Sequence, residues 1–158
     1  MADDILFTLE ASPPRRMLGV GILAALGLLL LCLAAMRPPG SPLLLVFLVL
    51  VGLGALALGL RMLRATRARL ELTEAGLRSS DGRVIAPLEA IASLDRGTFA
   101  YKPSNGFLLR LTDSAPIAWE PGLWWRLGRR VGVGGVVSGG QAKAMAEMIA
   151  AMLARRGS

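Results

Sequence analysis

The sequence predicts an α+β membrane protein: a two-helix transmembrane hairpin, then a small bent antiparallel sheet or barrel, then a C-terminal amphipathic helix. Three observations carry that expectation. Two long uncharged runs fill most of the first 60 residues, short alternating segments separated by turn dipeptides follow, and residues 141–156 form an uninterrupted amphipathic stretch. The averages agree, since 54% of the 158 residues are hydrophobic, 18% are charged and the net charge is +7, with a mean hydropathy of +0.56. Soluble chains carry about a quarter charged residues, so this apolar excess must lie out of water. The low-hydrophobicity profile of a disordered chain is excluded as well.

The first run, Met17 to Met36, is 20 residues without a charge, and the second, Pro42 to Leu60, is 19. At roughly 1.5 Å per residue each makes a helix of about 30 Å, the thickness of a bilayer's hydrocarbon core. A cleaved signal peptide fits poorly, because Asp3, Asp4 and Glu10 occupy the leader and no small-x-small site follows. Leu31 before Cys32 and the continuing apolar run argue against lipoprotein processing, leaving Cys32 as a small packing or lipid-facing residue. Only Arg37 to Ser41 separates the runs, so the helices are expected to be antiparallel neighbours. Gly21 and Ala25 on the first and Ala55 and Gly59 on the second offer small residues four apart for their contact.

Basic residues set the expected orientation. Arg15, Arg16, Arg61, Arg64, Arg67 and Arg69 flank the outer ends of the two runs, against Arg37 alone between them, which places both termini in the cytoplasm. Residues 61–158 hold 15 Lys/Arg and 8 Asp/Glu, so the net charge belongs to the segment after the hairpin. A basic domain beside a bilayer is drawn to anionic headgroups at roughly 1 kcal/mol per nearby basic side chain. Nucleic acid is the weaker candidate, because no recognised binding motif is present and aromatic residues are few.

The segment after the hairpin reads as a meander. Arg69 to Thr73 alternates around Leu70 and Leu72, and Leu77 to Ser79 returns after Glu74-Ala75-Gly76. Asp81-Gly82 is a hairpin turn into Val84 to Ala86. Leu88 to Leu94 fits a helical turn or a strand. Thr98 to Tyr101 and Phe107 to Leu111 are expected to pair across Asn105-Gly106, and Asp113-Ser114 to turn the chain into Ile117 to Trp119. In the last stretch Met145, Met148, Ile149, Met152 and Leu153 form one helical stripe, and Arg155 and Arg156 sit where cations suit the helix dipole.

With its hairpin, arginine-rich juncture, LELTEAGL (Leu70 to Leu77), DGRVIAPLEAI (Asp81 to Ile91) and terminal helix, the chain resembles the bacterial membrane-anchored PH-like domain proteins. The resemblance implies a bent seven-stranded sheet or barrel capped by a C-terminal helix, a bacterial inner-membrane location and no enzymatic activity. With the uncharged runs and the arginine count, the chain is expected to divide into a cytoplasmic N-terminal tail (1–16), transmembrane helices at 17–36 and 42–63 joined by a short periplasmic turn (37–41), and a basic cytoplasmic domain (64–158), which the resemblance makes PH-like. Lipid-binding eukaryotic PH domains place basic residues between their first two strands. The matching loop here, Thr73 to Gly76, holds Glu74 and no base, which favours scaffold or protein-docking use over phosphoinositide binding.

One stretch stands apart from scaffold. Trp119, Trp124 and Trp125 fall within seven residues, beside Arg126, Arg129 and Arg130. Wound as a helix, Leu123, Trp124, Leu127 and Val131 share one arc and the arginines the opposite one, a pattern suited to the headgroup region. The alternative is tryptophans in the core and arginines on a solvated edge. With Lys143 beyond the glycine-rich run 132–140, these residues are the candidates for binding a lipid or a partner. The glycine run itself matches neither a phosphate loop, since Gln141 stands where lysine is needed, nor a dinucleotide fingerprint.

Catalysis and cofactors find no footing. With no histidine and one cysteine, the chain lacks the usual zinc and haem ligands, the base of a Ser-His-Asp triad and a partner for a disulfide. No charge lies inside either apolar run, which argues against transport. The expected role is an accessory, scaffold or assembly subunit that docks a protein partner or a second copy at the cytoplasmic surface, with anionic-phospholipid sensing by the Trp/Arg segment as the alternative.

Overall fold

Prolines open both long helices, α1 (Pro13–Met36) and α2 (Pro42–Ala65), where a fixed φ suits the first turn and no N–H partner is needed. The computed structural model describes residues 4–96 and 105–158; the expected strand at Thr98 to Tyr101 lies outside them. Each helix has 24 residues and is about 36 Å long, long and apolar enough to cross a membrane. They pack side by side with Leu18, Leu29, Phe47 and Leu50 among the large apolar side chains left exposed around them.

The helices touch through small residues, only half of which were expected. Ala55 and Gly59 of α2 are buried, but Gly21 and Ala25 of α1 face outward; Gly27 and Ala34 take their place. A Cβ on Gly27 would lie 2.8 Å from the Gly52 carbonyl oxygen, and one on Gly21 would meet nothing. Backbone therefore meets backbone at Gly27 and Gly52, a close approach that side chains would prevent.

The segment before α1, expected as a tail, contains strand β1 (Ile5–Leu9). It pairs antiparallel with β2 (Leu70–Thr73), with Thr8 opposite Glu71 and Leu9 opposite Leu70. The hairpin is thus an insertion between two adjacent strands of one sheet. β3 (Gly76–Ser79) and β4 (Val84–Pro87) complete the order β1-β2-β3-β4. Opposite charges face each other across β2 and β3, where Arg78 Nε lies 3.0 Å from Glu71. The loop at Thr73 to Gly76 consequently joins the second and third strands, and the first two are connected by the hairpin itself.

The ambiguous segment splits into a 3-10 turn (Leu88–Ala90) and strand β5 (Ile91–Asp95). β5 pairs with β6 (Phe107–Glu120), and β6 with β7 (Trp124–Val133), in a second antiparallel sheet. Seven strands are therefore present among the described residues, in sheets of four and three rather than a closed barrel. The expected turn at Asp113-Ser114 is absent: β6 runs through it, absorbing extra residues as register shifts between Arg110 and Ala118.

The terminal helix α3 (Gly139–Arg156) begins two residues before the expected start. It buries Ala142, Met145, Ala146 and Ile149 against β1, β5 and β6, with Met148, Met152 and Leu153 partly buried. Leu70, Leu72, Leu77, Phe107, Leu109, Trp124 and Val131 belong to the same core. Burying each such side chain stabilises by about 1.5–3 kcal/mol.

Candidate membrane-proximal binding surface

The sheet domain is stitched to both ends of the hairpin. On the α1 side, the Ser12 N–H donates to the Val136 carbonyl at 2.7 Å and Arg15 Nη1 to the Val137 carbonyl at 3.1 Å, while Ala11 bridges to Val137. On the α2 side, Arg61 Nη2 donates to the Trp119 carbonyl at 2.8 Å. These contacts, with the β1–β2 ladder, fix the domain against the helix ends instead of leaving it on a linker.

The Trp/Arg stretch, whose residues would form an amphipathic arc if wound as a helix, is the turn and second arm of the β6–β7 hairpin. Its alternation places Trp124 and Arg126 on one side and Trp125 and Leu127 on the other, with Trp119 directly opposite Trp125. The hairpin also doubles back on itself. Gly134 N–H donates to the Leu123 carbonyl at 2.8 Å and Val136 N–H to the Gly122 carbonyl at 3.0 Å, so the tip meets the chain leaving the base. The bend falls at Gly128, whose φ of 59° suits glycine. The Trp125 ring lies against Gly132, where a Cβ would overlap it.

The candidate residues therefore divide. Trp124 is core, 2% exposed. Arg126 is spent on structure: Nε donates to the Pro116 carbonyl at 2.8 Å and Nη1 to the Ile85 carbonyl at 3.0 Å, with the guanidinium 6.0 Å from the Trp124 ring centre. It ties the two sheets together. Trp119 is 46% exposed, and Arg61 stacks on its ring at 5.1 Å. Arg129 and Arg130 are exposed beyond the bend and make no hydrogen bond or ion pair among the described residues. Lys143 stands apart on α3, beside Phe107 and Gly139 in a cleft of about 480 Å³.

Two partners had escaped the sequence. Arg110, exposed on β6, is paired with Arg130 on β7, so two like charges point from the same face of the sheet. Opposed like charges are destabilising, and neither makes an ion pair among the described residues. The flanking Leu109 and Leu111 marked Arg110 as outward, but its opposite number depends on a register that bulges hide. Arg61 was legible only as a topology marker; its stacking on Trp119 joins residues 58 apart.

Arg61, Arg64, Arg83, Asp81 and Glu120 line a cleft of about 210 Å³ between α2 and the sheet, with Arg83 bonded to Glu120 at 3.1 Å. Among the described residues no group of Cys, Asp and Glu is placed to hold a metal ion. No family model, curated protein or solved structure matches the chain.

Proposed function

We propose that this chain is a non-enzymatic membrane scaffold that holds a PH-like module rigidly against the bilayer and docks an acidic partner protein on its arginine face. The observation that carries the proposal is the insertion of the hairpin between paired strands β1 and β2. A tethered recruitment domain needs reach; a domain clamped at both helix ends presents one face at a set height and angle.

The PH-like assignment rests on strand order: sheets of four and three strands in sequence order, followed by a helix packed on the core. In lipid-binding PH domains the connection between the first two strands carries the basic residues that meet headgroup phosphates. Here that connection is the hairpin, which puts the same edge toward lipid. The arginine count at the helix ends supports a cytoplasmic domain at a bacterial inner membrane.

The docking face is the Arg110–Arg130 pair. Two exposed cations held opposite each other suit a carboxylate-rich surface, since guanidinium groups bind carboxylates in a bidentate fork. A photo-crosslinking residue in place of Arg130, in the full chain in native membranes, tests this. The expected result is a protein adduct that Arg110→Glu abolishes. Adducts with lipid alone, or protein adducts indifferent to that change, would refute it.

A further inference from the structure

The outer face of the β6–β7 hairpin carries apolar side chains that the folded core does not use. Ile117 is 76% exposed and Leu127 57%; Ile117 lies two residues before Trp119 on β6, and Leu127 two residues after Trp125, the direct partner of Trp119, on β7. Trp119 is held at a defined level along α2. Arg61, which donates to its carbonyl and stacks on its ring, lies one turn inside the helix end at Ala65 and next to Leu60, itself an exposed apolar residue of α2. The hairpin face is thus continuous with the apolar belt of the helix at the depth where the belt gives way to charge. Trp119 supplies an amphipathic ring of the kind enriched at that boundary, and Arg61 and Arg64 supply cations to face phosphates.

We propose that Ile117, Trp119 and Leu127 form a foot that seats in the headgroup–acyl boundary of the same bilayer that α1 and α2 cross. Its occupant is lipid of the leaflet surrounding α2. Arg61 bridges the two, using part of its fork on the Trp119 carbonyl and leaving other donors for a phosphate. This inference rests on the membrane-crossing role of the helices and is independent of the arginine docking face, which lies on the other side of the bend at Gly128.

The test uses the full chain with Cys32→Ser, reconstituted into phosphatidylcholine–phosphatidylglycerol vesicles. A small fluorophore is attached at Ile117→Cys or, for comparison, at Ser158→Cys. The proposal expects the label at 117 to be quenched by lipids brominated near the carbonyl end of the chain and shielded from aqueous iodide, unchanged on diluting protein in lipid. The label at 158 should show the reverse. Iodide quenching at 117 equal to that at 158, in protein that resists alkaline extraction, overturns the foot while leaving the helix hairpin intact. Shielding that fades on dilution and comes without bromolipid quenching overturns it in favour of a second copy. Alkaline release of the protein overturns foot and membrane crossing together.

Discussion

Glu10 Oε1 and Arg69 Nε lie 3.0 Å apart, joining the residue after β1 to the residue before β2 across the whole length of the helical hairpin. Both side chains are exposed, so the pair itself contributes about 0–1 kcal/mol. Arg69→Ala should therefore lower the thermal midpoint of the detergent-solubilised protein only slightly. A large fall would mean that the ion pair, and not the β1–β2 ladder, holds the domain to the helices.

Arg126 and Arg129 offer a sharper contrast, three residues apart on one strand. Arg126 satisfies carbonyls of β4 and β6; Arg129 has no partner among the described residues. Arg126→Lys loses the planar fork that reaches both strands and should cost about 1–3 kcal/mol, whereas Arg129→Ala should stay within about 0.5 kcal/mol of the parent. Thermal unfolding in mild detergent, followed by tryptophan emission, compares them.

Gly27 and Gly21 test the helix contact in the same way. Gly27→Ala forces a Cβ onto Leu56 and the Gly52 carbonyl, and should destabilise by about 1–3 kcal/mol. Gly21→Ala enters open space and should be neutral. Resistance of the solubilised chain to proteolysis within residues 13–65 is the measurement, and equal behaviour of the two variants would place the helix seam elsewhere.

Trp124→Ala removes a buried ring and should cost about 3–5 kcal/mol. Trp119→Ala exposes nothing from the core and should unfold close to the parent in detergent, its effect being confined to the lipid-bound protein.

The sequence made the two helices legible because an uncharged run of bilayer length has few other homes, and α3 because its stripe is unbroken by glycine or proline. Strand β1 was hidden for two reasons. ILFTL has no clean alternation, and its partner lies beyond an inserted hairpin, so no local pattern announces the pairing. The Trp/Arg segment stayed ambiguous for a different reason. Leu123, Trp124, Leu127 and Val131 imitate a helical arc, while the bend at Gly128 and the bulges opposite it break the two-residue period that would have marked a strand. The role of Arg126 followed the same fate, since its carbonyl partners at Ile85 and Pro116 come together only once both sheets are in place.

The central claim, that the helical hairpin is inserted between two paired strands, is most directly tested by a disulfide across them. Thr8 and Glu71 are direct cross-strand partners, within the Cα separation of about 4.4–6.8 Å that a disulfide spans. Arg78 stands opposite Glu71 on β3, one strand further and thus about 10 Å from Thr8. With Cys32→Ser, mild oxidation of membranes should close Thr8→Cys to Glu71→Cys and leave Thr8→Cys with Arg78→Cys open, as read by protease nicking between the helices and gel mobility. Failure of the first pair to close, or equal closure of both, would contradict the insertion.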